Sequence, residues 1–166
     1  MLIWSVLGIL GCVVLDQLTK YFAQLYLQPV GTMPFIPGIM ELRFVLNDGA
    51  AFSSFAGARL FLILFTGIAI AALAVYLFWK KPPKRLERTA LVLLIGGGLG
   101  NLIDRVRTGV VVDFFATTFV DFAVFNVADC FVCVGAAMLI LYVFLEERKK
   151  SGEPERKGSE TEHGTS

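Results

Sequence analysis

Four long apolar runs, broken by short polar stretches, dominate the pattern of this chain. The first, Met1 to Leu15, is almost wholly apolar and continues past Asp16 and Lys20 towards Leu27, which is long enough for one membrane-crossing helix. Leu60 to Trp79 contains 20 residues and no charge, about 30 Å as a helix at roughly 1.5 Å per residue. Ala90 to Ile103 is shorter, and reaches crossing length only if Leu86–Thr89 and Asp104–Arg105 extend it. Phe125 to Leu145 is the fourth run. The pattern predicts a mostly α membrane protein with four transmembrane helices at about 2–27, 59–79, 87–105 and 124–145. These form a single domain over residues 1–147, followed by a polar tail at 148–166 expected to be disordered.

Between the first two runs, Gln28 to Gly57 breaks the apolar pattern with Pro29, Pro34 and Pro37. A loop of this length is expected to carry function. Within it Met40 to Leu46 alternates loosely, with Leu42, Phe44 and Leu46 set against Glu41 and Arg43, and predicts a short strand. Asn47-Asp48-Gly49 follows as a turn signal, most simply a hairpin turn. Thr108 to Val112 is β-branched apart from Gly109 and predicts a short extended piece leading into Asp113; Phe114 to Ala123 reads as a mixed loop.

Composition agrees with the membrane reading: 56% of residues are hydrophobic and the mean hydropathy is +0.71, beyond the range of ordinary soluble domains. The net charge of +1 conceals segregation, with five basic residues in Lys80–Arg88 and five in Arg148–Lys157. Both clusters flank apolar spans and lack interleaved aromatics, so membrane orientation accounts for them and nucleic acid does not. The two clusters predict a cytoplasmic loop between helices 2 and 3 and cytoplasmic termini. The polar residues between the other helix pairs then face outward. No Lys or Arg precedes Lys20, so the first run lacks the basic start of a cleaved signal peptide.

Chemistry concentrates between Gly96 and Asp129, which holds four of the six aspartates. The glycines of GGGLGN lie inside an apolar run rather than after a strand, which favours close helix packing over nucleotide binding. Asn101, Asp104 and Arg105 share one helical face, and so do Asn126 and Asp129. Asp113 and Asp129 each adjoin strongly apolar segments, where an ionised carboxylate is poorly solvated. Two such acids held together repel as anions, so one keeps a proton while the other stays charged, which is aspartic-protease chemistry in outline. The residues alone do not choose Asp113 over Asp104 as a partner. Asp16 and Lys20, four apart, either form a pair at a helix end with Lys20 reaching the interface or build a polar wall for an intramembrane site. Cys130 and Cys133 form a C-x-x-C without a second pair or a nearby His, and are read as packing residues. A proton-coupled transporter with an aspartate relay and a non-catalytic assembly factor are the competing classes.

Four motifs, in order and spacing, carry a resemblance to a known family. DQLTK (Asp16–Lys20), NDGAAF (Asn47–Phe52), GGGLGNLIDRVRTGVVVDF (Gly96–Phe114) and FNVAD (Phe125–Asp129) resemble the motifs of signal peptidase II, the bacterial lipoprotein signal peptidase. The resemblance covers residues from about 5 to 145. It implies an aspartic endopeptidase of the bacterial inner membrane that removes the signal peptide of diacylglyceryl-modified prolipoproteins before the lipidated cysteine. It assigns Asp113 and Asp129 as the catalytic pair. Asp16, Lys20, Asn47, Gly49, Asn101, Asp104, Arg105 and Asn126 become the substrate-binding or supporting set. It also implies no metal or other cofactor, a monomer, lipidated prolipoproteins and membrane lipids as partners, and an active site facing the extracytoplasmic side. Phe122-Ala123 stands where many members of the family carry Trp-Pro, and Cys130 where Ser is frequent; neither supplies a catalytic group.

Overall fold

The computed structural model describes residues 2–49 and 58–159, with side chains as far as residue 151. Four helices and a three-stranded antiparallel sheet follow the order α1 (Leu2–Phe22), β1 (Thr32–Ile36), β2 (Met40–Asn47), α2 (Arg59–Val75), α3 (Arg85–Arg107), β3 (Val111–Thr117) and α4 (Val127–Ser159). Helices α1 and α2 each end in a wider turn, Ala23–Leu27 and Tyr76–Lys80. All four helices contain spans apolar and long enough to cross a membrane, at Leu2–Leu27, Arg59–Lys80, Arg85–Arg107 and Val127–Ser151. The chain is a multi-pass membrane protein.

Helix α3 is the central post, packing against α1, α2 and α4, and its glycines explain why it can be. A Cβ on Gly97 would come within 2.5 Å of the Ala128 carbonyl oxygen of α4, and one on Gly96 within 2.5 Å of the Cys12 Cβ of α1. The helices therefore meet backbone to backbone, the means by which packing is gained where lipid already solvates apolar side chains. Ile9, Leu77, Leu91 and Ile95 form the buried centre of this contact. Apolar side chains such as Leu7, Leu64, Phe65, Ile68 and Ile140 point outward instead, as a lipid-facing surface requires.

The sheet has the order β1-β2-β3. Edge strand β1 is exposed throughout and contains Pro34, which an edge tolerates because no ladder bond is demanded of its nitrogen. The sheet's inner face, through β3, sits on the end of α1, where Ala23, Leu27, Val112 and Phe114 are buried together. Three differences from the sequence reading follow. Strand β3 extends through Phe114–Thr117, residues expected in a loop, because pairing from Met40↔Thr117 to Asn47↔Val111 satisfies its backbone along β2. The tight hairpin lies at Pro37–Ile39, with Gly38 at φ 75°, while Asn47–Gly49 leads out of β2; Ala50–Phe52 of that motif lie outside the described residues. Helix α4 runs beyond position 145 to Ser159, so residues 148–159, expected to be disordered, are helical. Glu146 to Lys150 are all strong helix formers, so no stop signal ends the helix where the apolar run ends.

Candidate active site

Two strand and helix ends meet to build the site. The Phe115 and Phe125 backbones pair as an isolated bridge, with Phe114 N and Phe115 N donating to Phe125 O at 3.0 and 2.8 Å. That bridge sets Asn126 beside Asp113. Asn126 directly precedes α4 and caps it: its Oδ1 accepts from Asp129 N at 3.0 Å, and Asp129 Oδ2 accepts from Asn126 N at 3.0 Å. This reciprocal pair satisfies two helix-end amides, and it fixes the Asp129 carboxylate at the positive end of the helix dipole.

The cap also joins the two acids. Asn126 Nδ2 donates to Asp113 Oδ1 at 2.6 Å, and Asn47 Nδ2 donates to Asp113 Oδ2 at 2.9 Å. Asp129 Oδ1 accepts from Asn101 Nδ2 at 2.8 Å. Both carboxyls thus have both oxygens held, and Asn126 touches each of them. They line one cavity of about 380 Å³ together with Asn47, Asn101, Arg105 and an apolar wall that includes Val111, Phe122 and Val124. Asp113 is 2% exposed. Burial pushes its carboxyl up to about 6; the neighbouring Asp129 charge adds to the rise, against hydrogen bonds from Asn47 and Asn126. A carboxyl that keeps its proton up to about pH 6 stands beside a second carboxyl, the pairing that general acid and base catalysis of amide hydrolysis needs.

Beneath the cavity lies a second polar layer. Lys20 is 2% exposed, and its Nζ reaches Asp16 Oδ2 at 2.9 Å, Asp104 Oδ2 at 2.8 Å and Asn101 Oδ1 at 2.8 Å. The choice left open by spacing is settled: Lys20 does not reach for the interface, and Asp16 and Lys20 form an interior wall. Asp16 Oδ1 also accepts from Ala128 N at 3.0 Å, so α1 satisfies an orphan amide in the first turn of α4. A Cβ on Gly100 would run into the Asp16 carboxylate, which explains a glycine there.

Every residue singled out in the sequence comes to this region, with some partners other than expected. Asp104 pairs with Lys20, not with its neighbour Arg105. Arg105 Nη2 instead donates to Gly49 O at 2.9 Å, while Gly49 N donates to Asn47 Oδ1 at 2.9 Å; the guanidinium pins the turn that presents Asn47. Thr19 turns away and donates to the Asp16 carbonyl oxygen at 2.8 Å. Cys130 and Cys133, read as packing residues, line the cavity.

Sequence reasoning missed Gln17 and Arg59. Gln17 Nε2 donates to Asp104 Oδ1 at 2.9 Å, and its place inside DQLTK was a signal that could have found it. Arg59 donates to the carbonyl oxygens of Arg105 and Val106 at 2.9 and 2.8 Å, closing the end of α3. Lying just before an uncharged run, it gave no signal of its own.

Comparison with known proteins agrees with this architecture. A family model described as Signal peptidase (SPase) II matches residues 8–145. The chain belongs to the signal peptidase II family. A lipoprotein signal peptidase of Streptococcus pyogenes serotype M5 (strain Manfredo) is 39% identical over 142 residues, 86% of this chain and 93% of that protein. The lipoprotein signal peptidase of Caldanaerobacter subterraneus subsp. tengcongensis is 46% identical over 127 residues, 76% of this chain and 86% of that one. Two solved bacterial membrane enzymes superpose with TM-scores of 0.81 and 0.76 at 32% and 33% identity. The first covers 90% of this chain and 92% of its own, the second 84% and 91%. As a signal peptidase II, the chain is an aspartic-type hydrolase, and its polar residues gather at one end of the four-helix frame.

Proposed function

We propose that this signal peptidase II removes the signal peptide from diacylglyceryl-modified prolipoproteins, cutting before the lipidated cysteine, with Asp113 and Asp129 as its catalytic pair. The observation that carries this reading is the single residue Asn126 bonded to both carboxyls at the wall of one cavity. Between them the acids hold one proton and a water. The charged member takes a proton from the water as it attacks the scissile carbonyl, and the protonated member donates to the departing nitrogen. Arg105 lines the cavity, and its guanidinium, held by the Gly49 carbonyl oxygen, presents a positive charge to the substrate backbone. The apolar wall suits a substrate that is itself a membrane helix bearing acyl chains.

The site lies outward in the bacterial plasma membrane, with both termini and the Lys80–Arg88 cluster on the cytoplasmic side. The enzyme works as a monomer in contact with membrane lipid. The test is a reconstituted assay with a diacylglyceryl precursor. Asp113→Asn and Asp129→Asn should each abolish cleavage, and full cleavage by both would overturn the assignment. An unlipidated precursor should be cut poorly. Single cysteines at Phe119 and Lys84 should label with impermeant maleimide from the outside and from the cytoplasm respectively, and the reverse result would overturn the orientation.

A further inference from the structure

The acid pair is symmetric in chemistry but not in its surroundings, and the asymmetry leads back to Lys20. An ammonium can only donate, so the Asn101 side chain must turn its oxygen toward Lys20 Nζ at 2.8 Å. Asn126 Nδ2 is a second donor on that oxygen, longer at 3.1 Å and without a charge behind it, so the ammonium dominates the choice. The Asn101 amino group is thereby aimed at Asp129 Oδ1 at 2.8 Å. A flipped amide would set donor against donor at Lys20 and acceptor against acceptor at Asp129, unless Asp129 carried a proton.

We infer that Lys20 is a positioning residue which, by fixing the direction of the Asn101 amide, holds Asp129 as the ionised, base member of the pair and leaves the shared proton to Asp113. This inference rests on the proposed catalytic pair. It accounts for three features at once. Asp129 receives two N–H donors, from Asn101 and from the Asn126 backbone, at a helix N-terminus that favours negative charge. Asp113 sits deeper, on a strand with no helix end behind it. Lys20 donates to Asn101 and is ion-paired with Asp16 and Asp104, which locks its position rather than leaving it free to approach substrate.

Charged groups packed around Asp129 are Asp113 from β3, Arg105 and Asp104 from α3, and Asp16 and Lys20 from α1. A useful test must remove the ammonium without changing their net charge. Lys20→Met/Asp104→Asn does so, since one cation and one anion leave together. Reconstituted in lipid nanodiscs with a diacylglyceryl precursor peptide, this variant should move the acidic limb of the kcat/KM profile to higher pH by about one unit. That corresponds to roughly a tenfold change in the protonation equilibrium of the base. The direction follows because losing a donor to the ionised acid makes protonation easier. Asn101→Ser should shift the limb equally, and combining the changes should add little further. Lys20→Arg, which again offers only donors, should keep the acidic limb where it is whatever happens to the rate.

A limb unmoved in the charge-matched variant, with only the melting temperature lowered, would show that Lys20 is structural and overturn the inference. So would a shift of a unit or more in Lys20→Arg, which remains decisive should the double variant fail to fold. Failure of the underlying reading looks different: Asp129→Asn would then still cleave.

Discussion

Placing a carboxyl where Asp113 sits should destabilise the folded protein once that carboxyl ionises. Its folded value of about 6 lies 2.2 units above the ordinary 3.8, and at about 1.36 kcal/mol per unit this is roughly 3 kcal/mol. The sign is set by linkage. A raised folded value means that the native state holds the proton more tightly than the unfolded chain. The stabilisation is therefore complete below about pH 4 and is lost as pH rises through about 6. Asp113→Asn removes this titration. It also introduces an amide whose amino group must face a donor from Asn126 or Asn47, a penalty that does not vary with pH. The informative quantity is thus the change with pH in the stability difference between variant and wild type. Thermal unfolding in one detergent from pH 4.5 to 8 should show the variant gaining on the wild type by about 2 kcal/mol, the part of that stabilisation lost above pH 4.5. That is roughly 4–8 °C in melting temperature for a chain of this size. Parallel curves across that range would refute the claim that the Asp113 carboxyl is held protonated by its burial.

Other outcomes follow from the packing. Gly100→Ala drives a methyl into the Asp16 carboxylate and should cost about 1–3 kcal/mol by overpacking, read as a lower melting temperature with reduced cleavage. Asp16→Ala leaves Lys20 buried with one anionic partner fewer and deprives Ala128 N of its acceptor; a loss of roughly 3–5 kcal/mol is expected, measured against a smaller loss for Asp16→Asn. By contrast, breaking the exposed Lys84–Glu146 pair that links α3 to α4 should leave both melting temperature and cleavage unchanged within error, since solvent screens such pairs. Ala123→Phe narrows the apolar wall of the cavity and should raise KM by on the order of tenfold, the scale of a misfit in an apolar pocket, without lowering the melting temperature.

The helices were legible because lipid demands a long apolar run for each crossing, and only charge or proline ends it. Strand β3 was not, because Phe114 to Thr117 owes its extended form to β2, more than 60 residues earlier, and no local pattern records that partner. The same contrast runs through the site. Asn101, Asp104 and Arg105 were visible as polar residues on one apolar helix face, yet their spacing named no partner for any of them. The structure gives Asp104 to Lys20 of α1 and Arg105 to the turn at Gly49. The family motifs name Asp113 rather than Asp104 as the partner of Asp129, but carry no reason for the choice. The reason is geometric: the Phe115–Phe125 bridge sets Asn126 against Asp113, while Asp104 lies one helical turn beyond Asn101 and faces Lys20.

Burial makes such an acid pair costly, and the way the chain meets that cost has a physical logic. Charges there must be compensated, but a cation in direct contact with either acid would hold it ionised and deprive the pair of its shared proton. Among the described residues, no salt bridge is made by Asp113 or Asp129. Their oxygens are held by neutral donors, the side-chain amides of Asn47, Asn101 and Asn126 and one backbone N–H. The buried cation is placed one amide away, where Asp16 and Asp104 absorb its charge. Amides bias a carboxyl toward one protonation state far less than a cation in contact would, so a proton can still pass between the proposed pair. Substituting Asn47 by Lys would bring a cation into that layer. It should pull Asp113 back toward the ordinary carboxylate range and abolish cleavage near neutral pH while sparing the fold, and a reconstituted Asn47→Lys enzyme of normal activity would show that the neutrality of this layer is incidental.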